Sequence, residues 1–155
     1  CRSSAADEPL VTSEEQRSCG SNLLDDYTVG DVLGQGSFGV VYSCAKKGTS
    51  LRGCIYAVKM IDKVQMPPGE AEQEAAVMRD LVHPNIVKFH ATYSEKAFVC
   101  IVMDKWGGGD LIEGMQLHWK TKGRIDVKRV LHIVTGMASA IDYLHQNLYA
   151  HRDIC

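Results

Sequence analysis

Three glycines, at residues 34, 36 and 39, form a G-x-G-x-x-G spacing. Glycine has no Cβ, so its backbone turns tightly and brings N–H groups up to a phosphate. The spacing alone does not select a ligand, because dinucleotide-binding folds share it and many glycine turns bind nothing. The neighbouring segments therefore decide what these glycines do.

The segments on both sides of the glycines are typical of strands. Residues 27–33 alternate apolar and polar side chains, and residues 40–44 are β-branched and aromatic. A Rossmann or P-loop motif needs the glycines to open a helix, and no helical periodicity follows for about thirty residues. The pattern predicts a strand–turn–strand flap. It leaves two readings open, a nucleotide-covering flap and a plain glycine-rich hairpin.

A lysine and a glutamate further along could complete a phosphate site. Lys59 lies in a predicted strand over 54–61, and Glu74 lies in a predicted helix over 70–81. Glu74 shares a helix face with Met78 and Leu81, so it falls on the apolar stripe. A carboxylate there needs a partner, since an unpaired buried charge is costly. Lys59 is the natural candidate, although a solvated lysine and an edge position for Glu74 are the alternatives.

The periodicities that position these residues indicate an α+β domain. Residues 26–103 predict an antiparallel lobe of five strands with one helix after the third; the strands are 27–33, 40–44, 54–61, 86–93 and 97–103. A Trp-Gly-Gly-Gly linker at 106–109 precedes predicted helices over 111–120 and 127–144, the second capped by Asp126. Residues 1–25 predict a disordered acidic tail.

Composition excludes several classes of function. A formal net charge of -2 over 155 residues argues against a general nucleic-acid binder. The longest apolar run, at 97–103, is too short to cross a membrane, so no membrane partner is expected. The six cysteines form no C-x-x-C pair, which is typical of reduced thiols. We expect a cytoplasmic protein without a structural metal.

Five elements in one order resemble the eukaryotic protein kinases. They are the glycine flap, Ala-Val-Lys at 57–59, Glu74, His-Pro-Asn-Ile-Val at 83–87 and His-Arg-Asp at 151–153. The His-Pro-Asn segment and Gly-Gly-Asp-Leu at 108–111 are similar to calcium/calmodulin-dependent kinases of the Ser/Thr type. The resemblance implies a kinase N-lobe at 26–103, a hinge at 104–110 and a partial C-lobe at 111–155.

The resemblance also implies a role for each matching residue. Lys59 would hold the α- and β-phosphates of ATP, Glu74 would orient it, and Asp153 would accept the proton of the substrate hydroxyl. The glycines would cover the phosphates, Asp104 and Trp106 would contact adenine through their backbone, and Met103 would be the gatekeeper. The residues implied to surround the nucleotide are Leu33, Gly34, Gly36, Gly39, Val41, Ala57, Met103, Asp104, Trp106 and Asp110.

The implied activity is phosphoryl transfer from Mg-ATP to Ser or Thr of a protein substrate. The kinase residues that bind Mg²⁺, an Asn and an Asp-Phe-Gly, would lie beyond Cys155, so the chain resembles a fragment that is inactive alone. Cys155 also stands where Ser/Thr kinases usually have a lysine. A pseudokinase, or a nucleotide-binding module without phosphotransfer, is the alternative. The uncovered stripe of helix 127–144 predicts loose folding beyond Gly107.

Overall fold

The computed structural model describes residues 22–50, 55–109, 111–124 and 126–151, and its main feature is a five-stranded antiparallel sheet in the order β1-β2-β3-β5-β4. The elements in chain order are α1 (Leu23–Asp26), β1 (Tyr27–Gly36), β2 (Gly39–Lys46), β3 (Tyr56–Asp62), α2 (Glu70–Asp80), β4 (Phe89–Ser94), β5 (Phe98–Asp104), α3 (Leu111–Lys122) and α4 (Val127–Gln146). The predicted α+β lobe, with one helix after the third strand, is confirmed.

Alternation along the strands gives the sheet two buried faces. Helix α2 covers one face, where Ile61, Val99 and Ile101 pack against Ala71 and Ala75. The opposite face carries a second cluster, whose buried members are Leu23, Tyr27, Cys44, Val58, Tyr93, Cys100 and Val102. The central strands β3 and β5 contribute to both clusters because successive side chains point to opposite faces.

The first residues that the structure describes already belong to the domain. Leu23 is fully buried, and its backbone N–H donates to Glu95 Oε1 at 3.0 Å. The Tyr93 hydroxyl donates to Asp26 Oδ2 at 2.8 Å. The predicted tail extended to residue 25, but α1 is fixed to the sheet by these contacts. The rest of that tail, residues 1–21, lies outside the described residues.

Strand β4 begins three residues later than the predicted segment 86–93. Residues 84–86 form a turn, in which the Ile86 N–H donates to the His83 carbonyl at 3.1 Å. The amide of Ile86 is thereby used within the turn instead of in the sheet. Residue 54, at the start of the third predicted strand, lies outside the described residues, and β3 begins at Tyr56.

Both C-terminal helices are longer than predicted by two residues. Helix α3 continues to Lys122, with the Thr121 hydroxyl donating to the Leu117 carbonyl inside the helix. Gly123, with φ of 65°, follows its end. Asp126 caps α4 as predicted, accepting from the Lys128 N–H at 3.0 Å. The apolar stripe of α4 is exposed over its first half, with Val127, Leu131, Val134 and Met137 as its most exposed members, whereas Leu144 near the end of the helix is buried.

The close approach of β2 to β3 predicts that any side chain at position 39 destabilises the domain. A Cβ built there would lie 2.2 Å from the Met60 carbonyl oxygen, which is backbone and cannot rotate away. We expect Gly39→Ala to lower the free energy of unfolding by about 1–3 kcal/mol, the usual cost of overpacking. Urea denaturation measures it, with Gly34→Ala as the control, since nothing lies within 4 Å of a Cβ there. Equal losses for both variants would contradict the prediction.

We expect burial to make the Cys100 thiol unreactive. Desolvation, with a smaller contribution from Glu95 and opposed by Lys63, raises the pKa of Cys100 from 9.0 to about 12. Only the thiolate is alkylated, so at about pH 8 iodoacetamide should leave Cys100 unmodified in the folded chain and modify it in urea. Peptide mass spectrometry measures the modified fraction. Labelling of Cys100 at the same rate with and without urea would show that the prediction is wrong.

Candidate active site

The centre of the candidate site is an ion pair between β3 and α2. Lys59 Nζ donates to Glu74 Oε1 at 2.5 Å, and each side chain is 31% exposed. Ala71, about one turn before Glu74, and Ala75, the residue after it, are buried against the sheet. Their small side chains let α2 approach the strands closely, which places the Glu74 carboxylate within reach of Lys59. The two residues paired by sequence reasoning are therefore in contact.

Strand register places four of the predicted residues on one face of the sheet. Val41 pairs with Lys59 across β2 and β3, and Ala57 pairs with Met103 across β3 and β5. Directly opposed residues of antiparallel strands point to the same side, which here is the side that α2 covers. An apolar surface made by Val41, Ala57 and Met103 therefore adjoins the Lys59 ammonium group.

The glycine flap is a tight hairpin between β1 and β2. Gly36 pairs with Gly39, and Ser37 and Phe38 form the two-residue turn between them. The Asp62 N–H donates to the Phe38 carbonyl at 3.1 Å, which fixes the turn to the end of β3. Gly34 pairs with Val41, which in turn pairs with Lys59, so the first glycine lies two strands away from the lysine at the same level of the sheet. The predicted strand–turn–strand arrangement is confirmed.

Leu33, which was expected to close on the same site, lies at an irregularity of β1. The pairing passes from Val32 with Tyr42 to Gly34 with Val41, so Leu33 is an extra residue on its strand. Its side chain is 45% exposed. Such a bulge changes the direction of a side chain relative to a regular strand.

The hinge after β5 is held by backbone hydrogen bonds. The Asp104 N–H donates to the Lys88 carbonyl at 2.9 Å, and the Lys105 N–H donates to the Ile55 carbonyl at 2.7 Å. Trp106 follows with an exposed side chain.

Two of the predicted residues, Asp110 and Asp153, lie outside the described part of the chain, so their roles stay predictions.

A cleft of about 1290 Å³ lies beside this sheet face, between α2 and α4. Glu74 lines it, as do Phe38 from the flap and His151, the first residue of the His-Arg-Asp motif. The residues predicted to surround adenine, among them Val41, Ala57 and Met103, do not line this cleft. Within the described ranges, no three His, Cys, Asp or Glu side chains are grouped so that they could hold a metal ion.

Sequence reasoning missed the side-chain contacts that hold α4 against the turn before β4. His83 stacks on Tyr143 with ring centroids 5.2 Å apart, and the Tyr143 hydroxyl accepts from the Val82 N–H at 3.1 Å. The Asn85 N–H donates to His83 Nδ1 at 3.1 Å, so Nε2 carries the proton and donates to Ser139 Oγ, also at 3.1 Å. The His-Pro-Asn turn was visible in the sequence, but its helix partners Ser139 and Tyr143 were not, since the hydrogen bonds to them span 56 and 61 residues of sequence.

Comparisons with known proteins agree with this architecture. The family model for the protein kinase domain matches residues 27–155, and the chain belongs to the protein kinase family. Within that family it is a Ser/Thr-type domain similar to the calcium/calmodulin-dependent kinases. No helix among the described residues is long and apolar enough to cross a membrane.

Individual relatives set the extent of the match. The chain is 35% identical to calcium/calmodulin-dependent protein kinase type 1 of Caenorhabditis briggsae over 86% of this chain and 36% of that protein. It is 32% identical to serine/threonine-protein kinase DCLK3 of Mus musculus, over 83% of this chain and 16% of that protein. A crystal structure of Rad53 1-466 in complex with AMP-PNP aligns with a TM-score of 0.70 and 29% identity, over 85% of this chain and 33% of that one. The chain thus spans about a third or less of these relatives.

The ion pair itself leads to a stability prediction. Because Lys59 and Glu74 are only partly exposed, their pairing should contribute about 0.5–1 kcal/mol to the free energy of unfolding, near the upper limit for such pairs. A double-mutant cycle with Lys59→Met and Glu74→Gln in urea denaturation measures this coupling. Lys63 and Glu72 form a matched pair, also between the end of β3 and α2, at 3.4 Å and with Glu72 47% exposed.

The matched cycle, with Lys63→Met and Glu72→Gln, should give a smaller coupling that added salt removes, because the pair is longer and more exposed. A coupling for Lys59 and Glu74 no larger than that of the matched pair would be inconsistent with the prediction.

Proposed function

We propose that this chain is the ATP-binding part of a Ser/Thr protein kinase, which transfers the γ-phosphoryl group of Mg-ATP to serine or threonine of protein substrates. The observation that carries the proposal is the Lys59–Glu74 hydrogen bond on the sheet face that also holds Val41, Ala57 and Met103. An oriented ammonium group beside an apolar surface suits a ligand with an anionic end and a flat apolar end.

The described residues fit ATP in both parts. An ammonium group has three N–H donors, of which Glu74 takes one, so Lys59 has donors left for phosphate oxygens. Val41 and Ala57 offer contact to adenine, with the flap above the phosphates. The Asp104 N–H is already bonded to Lys88, so an adenine contact from Asp104 uses its carbonyl oxygen. ATP supplies the phosphoryl group, and these residues bind and orient it.

Further roles follow from the family and rest on the proposal. Asp153 would accept the proton of the attacking substrate hydroxyl, and Asp110 would contact the ribose. In protein kinases Mg²⁺ is held by an Asn and by the Asp of Asp-Phe-Gly, which come after the His-Arg-Asp motif in chain order. The solved neighbour carries AMP-PNP, an ATP analogue, which supports adenine nucleotide as the ligand class.

A second candidate is a pseudokinase that binds nucleotide and signals by conformation. Cys155 favours it, because a thiol cannot supply the positive charge that a lysine provides two residues after Asp153. Lys59 and Glu74, which are present and paired, favour an active enzyme. For either candidate we propose a cytoplasmic location, which the free, buried thiol of Cys100 supports.

The proposal predicts that Lys59 controls nucleotide affinity. We expect Lys59→Met to weaken AMP-PNP binding by about ten- to a hundredfold, since it removes a charged donor to the phosphates. Titration of AMP-PNP with Mg²⁺ into the 155-residue chain, followed by calorimetry, measures the affinity. Lys63→Met is the control, because Lys63 joins the same two elements through Glu72.

The control variant should bind like the parent chain. Binding that is equally weak in both variants would point to lost stability instead of a lost phosphate contact. A parent chain that binds no adenine nucleotide, while its urea transition shows that it is folded, would contradict the proposal.

A further inference from the structure

A side chain of β4 reaches the hinge from outside the nucleotide face. His90 Nε2 lies 2.6 Å from Asp104 Oδ1, and the His90 side chain is only 15% exposed. A carboxylate only accepts hydrogen bonds, so Nε2 carries the proton and donates. Asp104 is the last residue of β5 and the first of the hinge. This contact therefore connects β4 to the hinge by a side-chain bond.

The position of His90 depends on a break in strand pairing. Phe89 pairs with Met103 and Ala91 pairs with Val102, so His90 is the extra residue of a β-bulge. A bulge redirects the side chain of its extra residue and bends its strand. Without it, the pairing of β4 with β5 would continue in register and residue 90 would face a ladder partner. The bulge aims the imidazole at Asp104.

Aromatic rings hold the imidazole in this orientation. Tyr56 meets His90 edge to face, with ring centroids 4.8 Å apart and planes at 83°. Tyr27 meets Tyr56 in the same manner at 5.9 Å and 86°, and Tyr27 is 4% exposed. Edge-to-face pairs of this kind are favourable beyond their buried area. The ring of His90 thus packs against Tyr56, which in turn packs against Tyr27 in the buried core.

We infer that His90 is a positioning residue for the hinge: its hydrogen bond to Asp104 fixes the backbone whose carbonyl would meet adenine. The backbone N–H groups of Asp104 and Lys105 bond the hinge to the carbonyls of Lys88 and Ile55. The bond from His90 holds the Asp104 side chain as well, so the residue is fixed through both its backbone and its side chain. The effect on adenine binding rests on the proposed function, whereas the positioning of the hinge by His90 is independent of it.

Hydrogen exchange of the 155-residue chain without ligand tests the positioning directly. In His90→Leu, the amides of residues 104 and 105 should exchange about five- to tenfold faster, because a hydrogen bond to a charged group is lost. His90→Gln keeps a donor near the Nε2 position and should stay within about twofold of the parent. His132→Leu, the same replacement at an exposed position of α4, should leave the hinge unchanged.

Asp104→Ala removes the same bond from its more exposed partner, 41% exposed, and so tests the inference if His90→Leu does not fold. It should accelerate the same amides by about the same factor. Unchanged exchange at 104 and 105 in a folded variant would overturn the inference. So would an equal acceleration at residues 34–39 of the flap, because that would be a general loosening of the lobe.

Nucleotide binding separates this inference from the proposed function. With His90→Leu, the affinity for AMP-PNP should fall about three- to tenfold, while the affinity for inorganic tripolyphosphate, which has no adenine, should match the parent. Equal losses for both ligands, or no loss for AMP-PNP, would overturn a role of His90 in adenine binding. If the parent binds neither ligand, the proposed function fails, and the exchange of residues 104 and 105 still decides the positioning.

Discussion

The contact between Lys59 and Glu74 imposes a constraint on the whole lobe, because its two atoms come from elements that meet only in the folded state. Helix α2 must lie close to the sheet, which the small side chains of Ala71 and Ala75 allow. The sheet must present Lys59 on the side of α2, which its pairing with Val41 and Ile101 ensures. A carboxylate that lies on an apolar helix stripe is tolerated because this partner reaches it.

The same register links the charged centre to its surroundings. Gly39 lets β2 lie so near to the backbone of Met60 that no space for a Cβ is left between the flap and β3. Ala57 and Met103 continue the face toward the hinge. The flap, the lysine and the hinge therefore hold their relative positions through backbone geometry, and side chains fill the space that this geometry leaves.

Much of this arrangement could be predicted from the sequence. The strand–turn–strand flap and the pairing of Lys59 with Glu74 follow from local periodicity and from the cost of an unpaired buried charge. The start of β4 and the hydrogen bond from the Leu23 N–H to Glu95 could not be predicted, since the first depends on a turn hydrogen bond and the second on a residue 72 positions away. His90 was missed for a similar reason: a bulge is a property of two paired strands, and neither strand shows it alone.

The stacking of His83 on Tyr143 has a mechanical consequence for the chain as a whole. Helix α4 is joined to the N-lobe twice. One connection is the chain that follows Asp104; the other is this stacking, together with the hydrogen bonds of Tyr143 to Val82 and of His83 to Ser139. The contact closes a loop of the chain that contains β4, β5 and α3. Separating α4 from the turn before β4 would break the stacking and both hydrogen bonds.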